Sequence, residues 1–387
     1  MSEHFMSPMR TLIAAWMAAC CLPVLAAAEE RPSTRDLGIA PGIFEPGPLN
    51  AITDVEGVKV GQVSIVSGDN VRTGVTAILP HGGNLFREKV AGAVYIGNAF
   101  GKLAGSTQVS ELGTIETPIV LTNTLAVGPA IEGVVTWTLT QPGNEQVRSV
   151  NALVGETNDG GLNDIRGGHV QRSHVIDAIR SAAGGRLAEG AVGAGTGTIA
   201  FGWKGGIGTS SRRVPVGEDT WTIGVLVQSN FGGRLTIAGV PVWRTLSPDT
   251  DKQRLTASAD GSCMIVIATD APLDARNLER LAARSIYALA RTGSTYSNGS
   301  GDFSIAFSTH PSLRVTGSSV PQAKLVLPTD AVSPLFEAVL DATEEALYNS
   351  MLRATDTTGQ GRTVRALPVD ALKKALRDWR APGGKAP

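Results

Sequence analysis

The hydrophobic pattern divides the chain into short apolar runs separated by turn residues. Runs typical of strands occur at 58–66, 74–80, 91–97, 117–124 and 149–157. Segment 264–268 is apolar without interruption, which is typical of a strand covered on both faces, whereas 301–309 alternates in the way of a strand with two different faces. Segment 221–232 predicts a further strand, and 235–242 reads as its pairing partner.

Five segments carry helix signals, such as three-to-four spacing of apolar residues or a proline at an early helical position. These segments are 128–140, 169–183, 273–292, 333–351 and 369–380. Strands and helices are thus mixed along the chain, and a helix can cover the apolar face of a sheet. The expected fold class is therefore α/β, with the elements stacked as a layered sandwich.

The first 28 residues have the order of a secretory signal peptide. A positive region with Arg10 precedes the apolar stretch 11–26, and an alanine triplet at 26–28 offers small residues for cleavage. The apolar run is too short for a stable membrane span, and its flanks do not suit one. Lipoprotein processing at Cys20, which follows two alanines, is the alternative. The mature chain is therefore expected to be periplasmic or secreted.

Removal of residues 1–28 also removes two of the three cysteines, so that Cys263 alone remains. The mature chain could then form no internal disulfide despite its oxidising destination, and its stability must come from a hydrophobic core. The formal net charge is −1, and no long basic or acidic run occurs. Neither nucleic acid nor an anionic membrane surface is an expected partner.

Motifs for metals and cofactors are missing from the sequence. The histidines stand in no metal-binding spacing, and one cysteine cannot build a zinc–thiolate site. The glycine-rich stretch 193–206 is followed by no helix pattern, as a dinucleotide fingerprint requires, and it lacks the ending of a phosphate loop. No Gly-x-Ser-x-Gly elbow occurs either. The sequence therefore predicts no metal and no cofactor.

Gly261 and Ser262 stand directly before the buried strand at 264–268. The pair is either a simple turn or a cleavage site that exposes a nucleophile. A serine hydroxyl can use an N-terminal amine as its base, but an internal serine gains that amine only when the bond before it is cut. Gly261 suits such a cut, because a residue without a side chain leaves its carbonyl open to the Ser262 hydroxyl.

The start of the 301–309 strand offers partners for this nucleophile. The two-residue period of a strand puts Asp302 on one face together with Ser304, and Ser300 falls on the same side. A hydroxyl and a carboxylate aimed together can relay protons to a neighbouring nucleophile. Both residues are equally compatible with a strand-start cap and an Asx turn.

Two further polar residues follow predicted strands. Asn230 is a candidate oxyanion donor, because an amide side chain commonly fills that role. Glu156 follows the apolar residues of a buried strand, which argues that its carboxylate points into a site. The alternatives are a hairpin residue for Asn230 and a solvated loop carboxylate for Glu156.

Five blocks of sequence, taken in order, resemble the DmpA family of self-processing aminopeptidases, peptidase family S58. The blocks are GETNDGGLNDI, GAGTGTIAFGWKGGIGTSSR, VQSNFG, DGSCMIVIATDAPL and GSGDFSIAF. The resemblance extends from about residue 36 to 355. That family contains L-aminopeptidase/D-Ala-esterase/amidases and β-peptidyl aminopeptidases, so an aminopeptidase activity is implied here.

The resemblance implies a four-layer αββα sandwich like that of N-terminal nucleophile hydrolases, but with different strand connectivity. It implies cleavage between Gly261 and Ser262 into an α chain, 29–261, and a β chain, 262–387, which stay associated and form a homo-oligomer of heterodimers. By position, the nucleophile would be Ser262, its partners Ser300 and Asp302, and the oxyanion donor Asn230.

Substrate binding is implied by the same resemblance. Glu156 would hold the free amine of the substrate. Asn158 stands where some peptidases of the family carry an aromatic residue, which bears on the substrate range. Some members also have glutamate at the position of Asp302.

The hypothesis from the sequence is an exported, self-processed serine aminopeptidase or amidase. Its substrates would be short peptides, or amino-acid amides and esters, with a free amine, and Ser262 would form an acyl-enzyme. One alternative is an acyltransferase of the ornithine-acetyltransferase type, although enzymes of that type use threonine as the nucleophile. The other alternative is a non-catalytic exported binding protein, which would remain a single uncut chain.

Overall fold

The computed structural model describes residues 31–248 and 261–380, together with Met1. The predicted signal peptide and the alternative site at Cys20 lie outside these residues. The described chain forms two large sheets stacked face to face, with helices on the outer side of each. None of the helices in the described ranges is long and apolar enough to cross a membrane.

The first sheet has five strands, in the order β1-β2-β6-β7-β4. Its strands are β1 (Lys59–Ser67), β2 (Val71–Leu79), β6 (Ile119–Asn123), β7 (Leu153–Thr157) and β4 (Leu103–Ala104). The pair β6 and β7 is parallel, and the other neighbours are antiparallel. Parallel neighbours require a crossover, which the helix after β6 provides.

The second sheet has six strands, in the order β10-β11-β12-β13-β3-β5. Its strands are β10 (Gly206–Val216), β11 (Asp219–Asn230), β12 (Ser262–Thr269), β13 (Gly301–Ser308), β3 (Val90–Ala99) and β5 (Thr114–Ile115). Only β12 and β13 run parallel among these neighbours. Two small hairpins complete the described strands: β8 (Ile199–Ala200) with β9 (Trp203–Lys204), and β14 (Thr357–Gly359) with β15 (Arg362–Val364).

The helices complete four layers. Against the first sheet lie α2 (Val127–Leu139) and α3 (Arg172–Arg180), and against the second lie α4 (Ala275–Arg291) and α5 (Ser333–Leu352). The remaining helices are α1 (Ser106–Leu112) and α6 (Val369–Arg380). The predicted αββα sandwich is thus confirmed, because the apolar face of each sheet is buried against the other sheet and each outer face is covered by helices.

Strand β12 is buried along its whole length, as its uninterrupted apolar run predicts. Alternate side chains enter two different cores. Met264 and Val266 face the first sheet, whereas Cys263 and Ile265 face the helices. Because the period is two residues, Ser262 points to the side opposite Cys263.

The side chains of strand β13 also alternate between the core between the sheets and the helix side. Phe303 and Ile305 lie in the core between the sheets. Ser304 faces α4, where it accepts a hydrogen bond of 2.8 Å from the Ser285 hydroxyl. The polar face of β13 is therefore buried against a helix and not exposed to solvent, which puts Asp302 in a buried environment as well.

The prediction of a strand at 235–242 is wrong. Ile237 and Val240 close a tight turn by mutual backbone hydrogen bonds, and a short 3-10 helix follows at Val242–Arg244. Strand β11 pairs instead with β10 and β12. Pro241 cannot donate a ladder hydrogen bond, which weakens any strand at this place. The predicted elements at 149–157 and 169–183 exist but are shorter, as β7 and α3.

Candidate active site

A cavity of about 1230 Å³ opens at one end of the two sheets. It lies where β7 and β11 end and where β12 begins, so side chains from both sheets reach it. Five residues singled out from the sequence line this cavity: Glu156, Asn158, Asn230, Gly261 and Ser262. The fold thus brings together residues that are up to 106 positions apart along the chain.

Ser262 is the first residue of β12 and is 5% exposed. In the sheet it pairs with Asn230 of β11 on one side and with Gly301 of β13 on the other. Its Oγ accepts a hydrogen bond of 3.3 Å from the backbone N–H of Gly301. Because Oγ acts as the acceptor in this contact, the hydroxyl proton is left for a different partner.

Gly261 fits tightly between the ends of its neighbouring strands. A Cβ at this position would lie 2.4 Å from both the carbonyl oxygen of Asn230 and the Cα of Phe231. The Gly261 carbonyl accepts a hydrogen bond of 3.0 Å from the Gly301 N–H. The Gly301 N–H therefore contacts both the Gly261 carbonyl and the Ser262 hydroxyl. It places a hydrogen-bond donor beside the peptide bond between Gly261 and Ser262.

The Asn230 side chain is held at both of its polar atoms. Its Oδ1 accepts from the Ile199 N–H at 2.9 Å, and its Nδ2 donates to the Asn158 carbonyl at 2.9 Å. These partners determine which end of the amide is oxygen and which is nitrogen. An amide nitrogen carries two protons, so one N–H of Nδ2 remains for a ligand in the cavity.

Glu156 is the penultimate residue of β7, on the sheet opposite Ser262, and is only 2% exposed. Oε1 accepts from the Lys102 N–H at 3.0 Å, with Lys102 Nζ at 3.8 Å, and Oε2 accepts from the Thr124 hydroxyl. Gly101, with φ +142°, permits this approach, since a Cβ there would lie 2.7 Å from Oε1. The two hydrogen bonds come from neutral donors and the Lys102 ammonium lies farther away, so the carboxylate keeps further lone pairs for a cationic ligand.

Asn158 contributes mainly through its backbone. Its carbonyl accepts from Asn230, and its exposed side chain accepts a hydrogen bond of 3.0 Å from the Gly160 N–H. The side chain lines the cavity two residues beyond Glu156.

Ser300 and Asp302 lie beside the cavity but do not line it. Both are buried, and neither the Ser300 hydroxyl nor the Asp302 carboxylate makes a hydrogen bond within the described ranges. Burial raises the pKa of Asp302 to about 6, although the nearby Ser300 hydroxyl and Cys263 backbone lower it in part. Asp302 pairs with Cys263 in the sheet, one residue beyond Ser262. The predicted relay is therefore adjacent to Ser262 without a hydrogen bond to it.

Sequence reasoning missed the backbone and loop contributions to this site. The Gly301 N–H and the Ile199 N–H leave no side-chain signal, and Lys102 and Thr124 stand in no recognisable motif. Within the described residues, no group of three or more His, Cys, Asp or Glu side chains could hold a metal ion.

A four-layer αββα sandwich with a serine at the start of a central strand is the architecture of the N-terminal-nucleophile hydrolase fold. Comparisons with known proteins agree. The family model "Peptidase family S58" matches residues 50–364, so the chain belongs to peptidase family S58. The predicted membership in this family of aminopeptidases is thereby confirmed.

Two relatives are named β-peptidyl aminopeptidase BapA. The protein of Sphingosinicella microcystinivorans is 41% identical over 380 residues, which is 92% of this chain and 94% of that protein. The protein of Sphingosinicella xenopeptidilytica is 39% identical over 374 residues, which is 89% of this chain and 91% of that protein.

Solved structures show the same fold. The L-aminopeptidase D-Ala-esterase/amidase of Ochrobactrum anthropi, described as a variant of the Ntn hydrolase fold, is 36% identical with a TM-score of 0.84 and covers 90% of this chain and 99% of its own. The PH0078 protein of Pyrococcus horikoshii OT3 is 46% identical with a TM-score of 0.84, and the match covers 90% of this chain and 100% of the PH0078 chain.

Proposed function

We propose that this chain is an exported, self-processing serine aminopeptidase that removes N-terminal residues from short peptides or cleaves small amino-acid amides and esters. The observation that carries the proposal is the meeting of Ser262, Asn230 and Glu156 in one cavity. A nucleophile, an oxyanion donor and an acceptor for an amine are the three groups that this reaction needs.

Self-processing would begin with attack of Ser262 Oγ on the Gly261 carbonyl carbon. The new O–C bond replaces the C–N bond between Gly261 and Ser262, and the proton lost from Oγ passes to the leaving nitrogen. Water then hydrolyses the ester, which releases the Gly261 carboxylate and leaves Ser262 with a free α-amine. The Gly301 N–H, 3.0 Å from the Gly261 oxygen, supports this step because it can stabilise negative charge there.

Turnover would then use the new amine as the base for the Ser262 hydroxyl. An α-amine has an ordinary pKa of about 7.7–8, so a useful fraction is neutral near pH 7. Attack on the substrate carbonyl forms an acyl-enzyme and expels the rest of the peptide, and water completes the cycle. Asn230 would donate to the oxyanion, whereas Ser300 and Asp302, buried beside the start of β12, would exchange protons with the new amine.

The acyltransferase alternative shares the acyl-enzyme, but among the described residues of the cavity no contact favours transfer over hydrolysis. Export would follow from the signal-peptide pattern of residues 1–28. Two of the relatives are named β-peptidyl aminopeptidases. The first substrates to test are therefore β-peptides, together with α-peptides.

The function is tested with matched substrate pairs. We expect a dipeptide with a free amine to be hydrolysed, and its N-acetylated form to react at least about 10²-fold more slowly, because acetylation removes the charge that Glu156 would bind. Release of the C-terminal amino acid by the purified protein, followed by chromatography, measures both. Equal rates for the two forms would contradict an aminopeptidase and favour a general amidase.

Gly261→Ala is expected to slow self-processing by at least about tenfold. The added Cβ would lie 2.4 Å from backbone atoms of Asn230 and Phe231, and backbone cannot move aside as the end of a flexible side chain can. The scissile carbonyl would therefore shift relative to Ser262 Oγ and the Gly301 N–H. A time course of intact mass after synthesis measures the cut. Gly128→Ala, in helix α2, is the control for a glycine change outside the cavity, because a Cβ there meets no atom within 4 Å.

A further inference from the structure

Lys204, at the end of β9, is a fully buried lysine close to the cavity. Its side chain is 0% exposed, and Nζ donates to three backbone carbonyls: Gly195 at 2.9 Å, Thr198 at 2.9 Å and Gly205 at 2.8 Å. All three ammonium protons are thus used on main-chain oxygens. Burial lowers the pKa of Lys204 to about 7, and the buried Asp159 carboxylate acts in the opposite direction. Lysine is rarely buried without a close carboxylate partner, so its place here calls for an explanation.

The three acceptors belong to one segment, Gly195–Gly205, which we call the 195–205 loop. The loop is closed by a hydrogen bond of 3.1 Å from the Gly205 N–H to the Thr198 carbonyl. Its tip contacts the end of β11, because the Phe201 N–H donates to the Phe231 carbonyl at 2.7 Å and the two rings pack edge to face. Lys204 therefore stabilises a loop that packs against the end of the strand that carries Asn230.

One hydrogen bond joins this loop to the Asn230 side chain. Ile199 directly follows Thr198, and its N–H is the donor to Asn230 Oδ1. The Asn158 carbonyl holds Nδ2 at the other end of the amide, so loss of the Ile199 donor would remove one of the two contacts that fix its orientation and would let the amide rotate or turn over. An acceptor oxygen would then stand where the nitrogen stood. Negative charge that develops on a substrate oxygen would be repelled there instead of stabilised.

We propose that Lys204 is a positioning residue for the oxyanion donor: it fixes the 195–205 loop so that the Ile199 N–H holds Asn230 Oδ1 and leaves Nδ2 facing the cavity. The inference rests on the oxyanion role proposed above for Asn230. Lys204 would therefore stabilise the transition state through Asn230 and would have little effect on the binding of substrate.

The test is a double-mutant cycle on the processed protein. Lys204→Met, Asn230→Ala and the double variant are assayed for kcat and KM with an amino-acid amide, and each rate is referred to the amount of nucleophile titrated with a serine-directed acylating reagent. We expect Asn230→Ala to lower kcat by about 10²- to 10³-fold. Lys204→Met should lower kcat by roughly tenfold to 10²-fold with KM changed less than about threefold, and should add almost nothing in the Asn230→Ala background.

Arg212→Met provides the matched control. Arg212 is also a fully buried cation, paired with Glu345 at 2.7 Å, but it lies near the middle of β10, opposite Ile223 in the sheet, and does not line the cavity. Its removal should lower the melting temperature and leave kcat unchanged. If Lys204→Met behaves in the same way, or if its loss of kcat is undiminished in the Asn230→Ala background, the inference is overturned.

Ile199→Pro keeps the test decisive if the Lys204 variants do not fold. Proline removes the one N–H that holds Asn230 Oδ1, so kcat should fall as in Lys204→Met, and an unchanged kcat would overturn the inference. The failure of the proposed function would look different. In that case the wild-type chain would remain uncut, or Asn230→Ala would itself leave kcat unaffected.

Discussion

Ser262→Ala is expected to yield a single uncut chain with no measurable aminopeptidase activity. A methyl group cannot form the ester that precedes cleavage, and an uncut chain has no α-amine at residue 262 to act as a base. The one substitution thus removes both nucleophile and base. We expect a rate loss of roughly 10⁵-fold or more, as is found when a serine nucleophile is removed from an enzyme whose catalytic groups act as a unit.

Intact mass and N-terminal sequencing measure the outcome directly. The wild-type protein should give two fragments, one of which begins at Ser262. Ser308→Ala is the matched control, because Ser308 is a buried serine at the opposite end of β13 whose hydroxyl donates to the Ala271 carbonyl at 2.7 Å. That variant should be cut normally. A fragment beginning at residue 262 in the Ser262→Ala protein would show that an outside protease makes the cut.

The strands that carry the site were predictable from local pattern. The apolar run after Ser262 and the alternation in 301–309 each depend on one strand alone, and both predictions hold as β12 and β13. The pairing predicted for 235–242 failed for a different reason. One neighbour of β11 is the strand directly before it, β10, and the other is β12. The segment 235–242 contains Pro241 and folds into a turn that leads to a 3-10 helix, so the next apolar run after β11 does not pair with it.

The residues that hold the site together were not predictable in the same way. Lys204 acts on backbone carbonyls of its own loop, and the Gly301 N–H has no side chain to mark it. Such contacts depend on where the backbone runs after folding, which no spacing of residue types encodes. Glu156 and Asn230, by contrast, lie at the ends of strands, and this position together with their side-chain chemistry suggested that they enter a site.

Glu156→Gln is expected to lower kcat/KM for peptides with a free amine by about 10²-fold. Loss of one partner from a buried charge-assisted contact costs roughly 3 kcal/mol, which corresponds to that factor. Glutamine keeps the size of the side chain. Its oxygen can still accept from the Lys102 N–H, and its amide nitrogen can donate to the Thr124 hydroxyl oxygen, so the fold should survive. Self-processing should continue, because the uncut chain presents no free amine to Glu156 at this step.

Steady-state rates with free-amine and N-acetylated substrates measure this effect, beside the intact mass of the variant. Glu116→Gln is the control: it is a buried glutamate paired with Lys89 at 3.0 Å, and it accepts from the Asn151 N–H before the start of β7, whereas Glu156 lies at the end of that strand. It should lose stability and keep its kcat/KM. If Glu156→Gln slows both substrates by the same factor, the carboxylate supports the cavity itself and does not bind the amine. If the free-amine substrate alone is affected, the charge of Glu156 is the feature that makes this hydrolase an aminopeptidase.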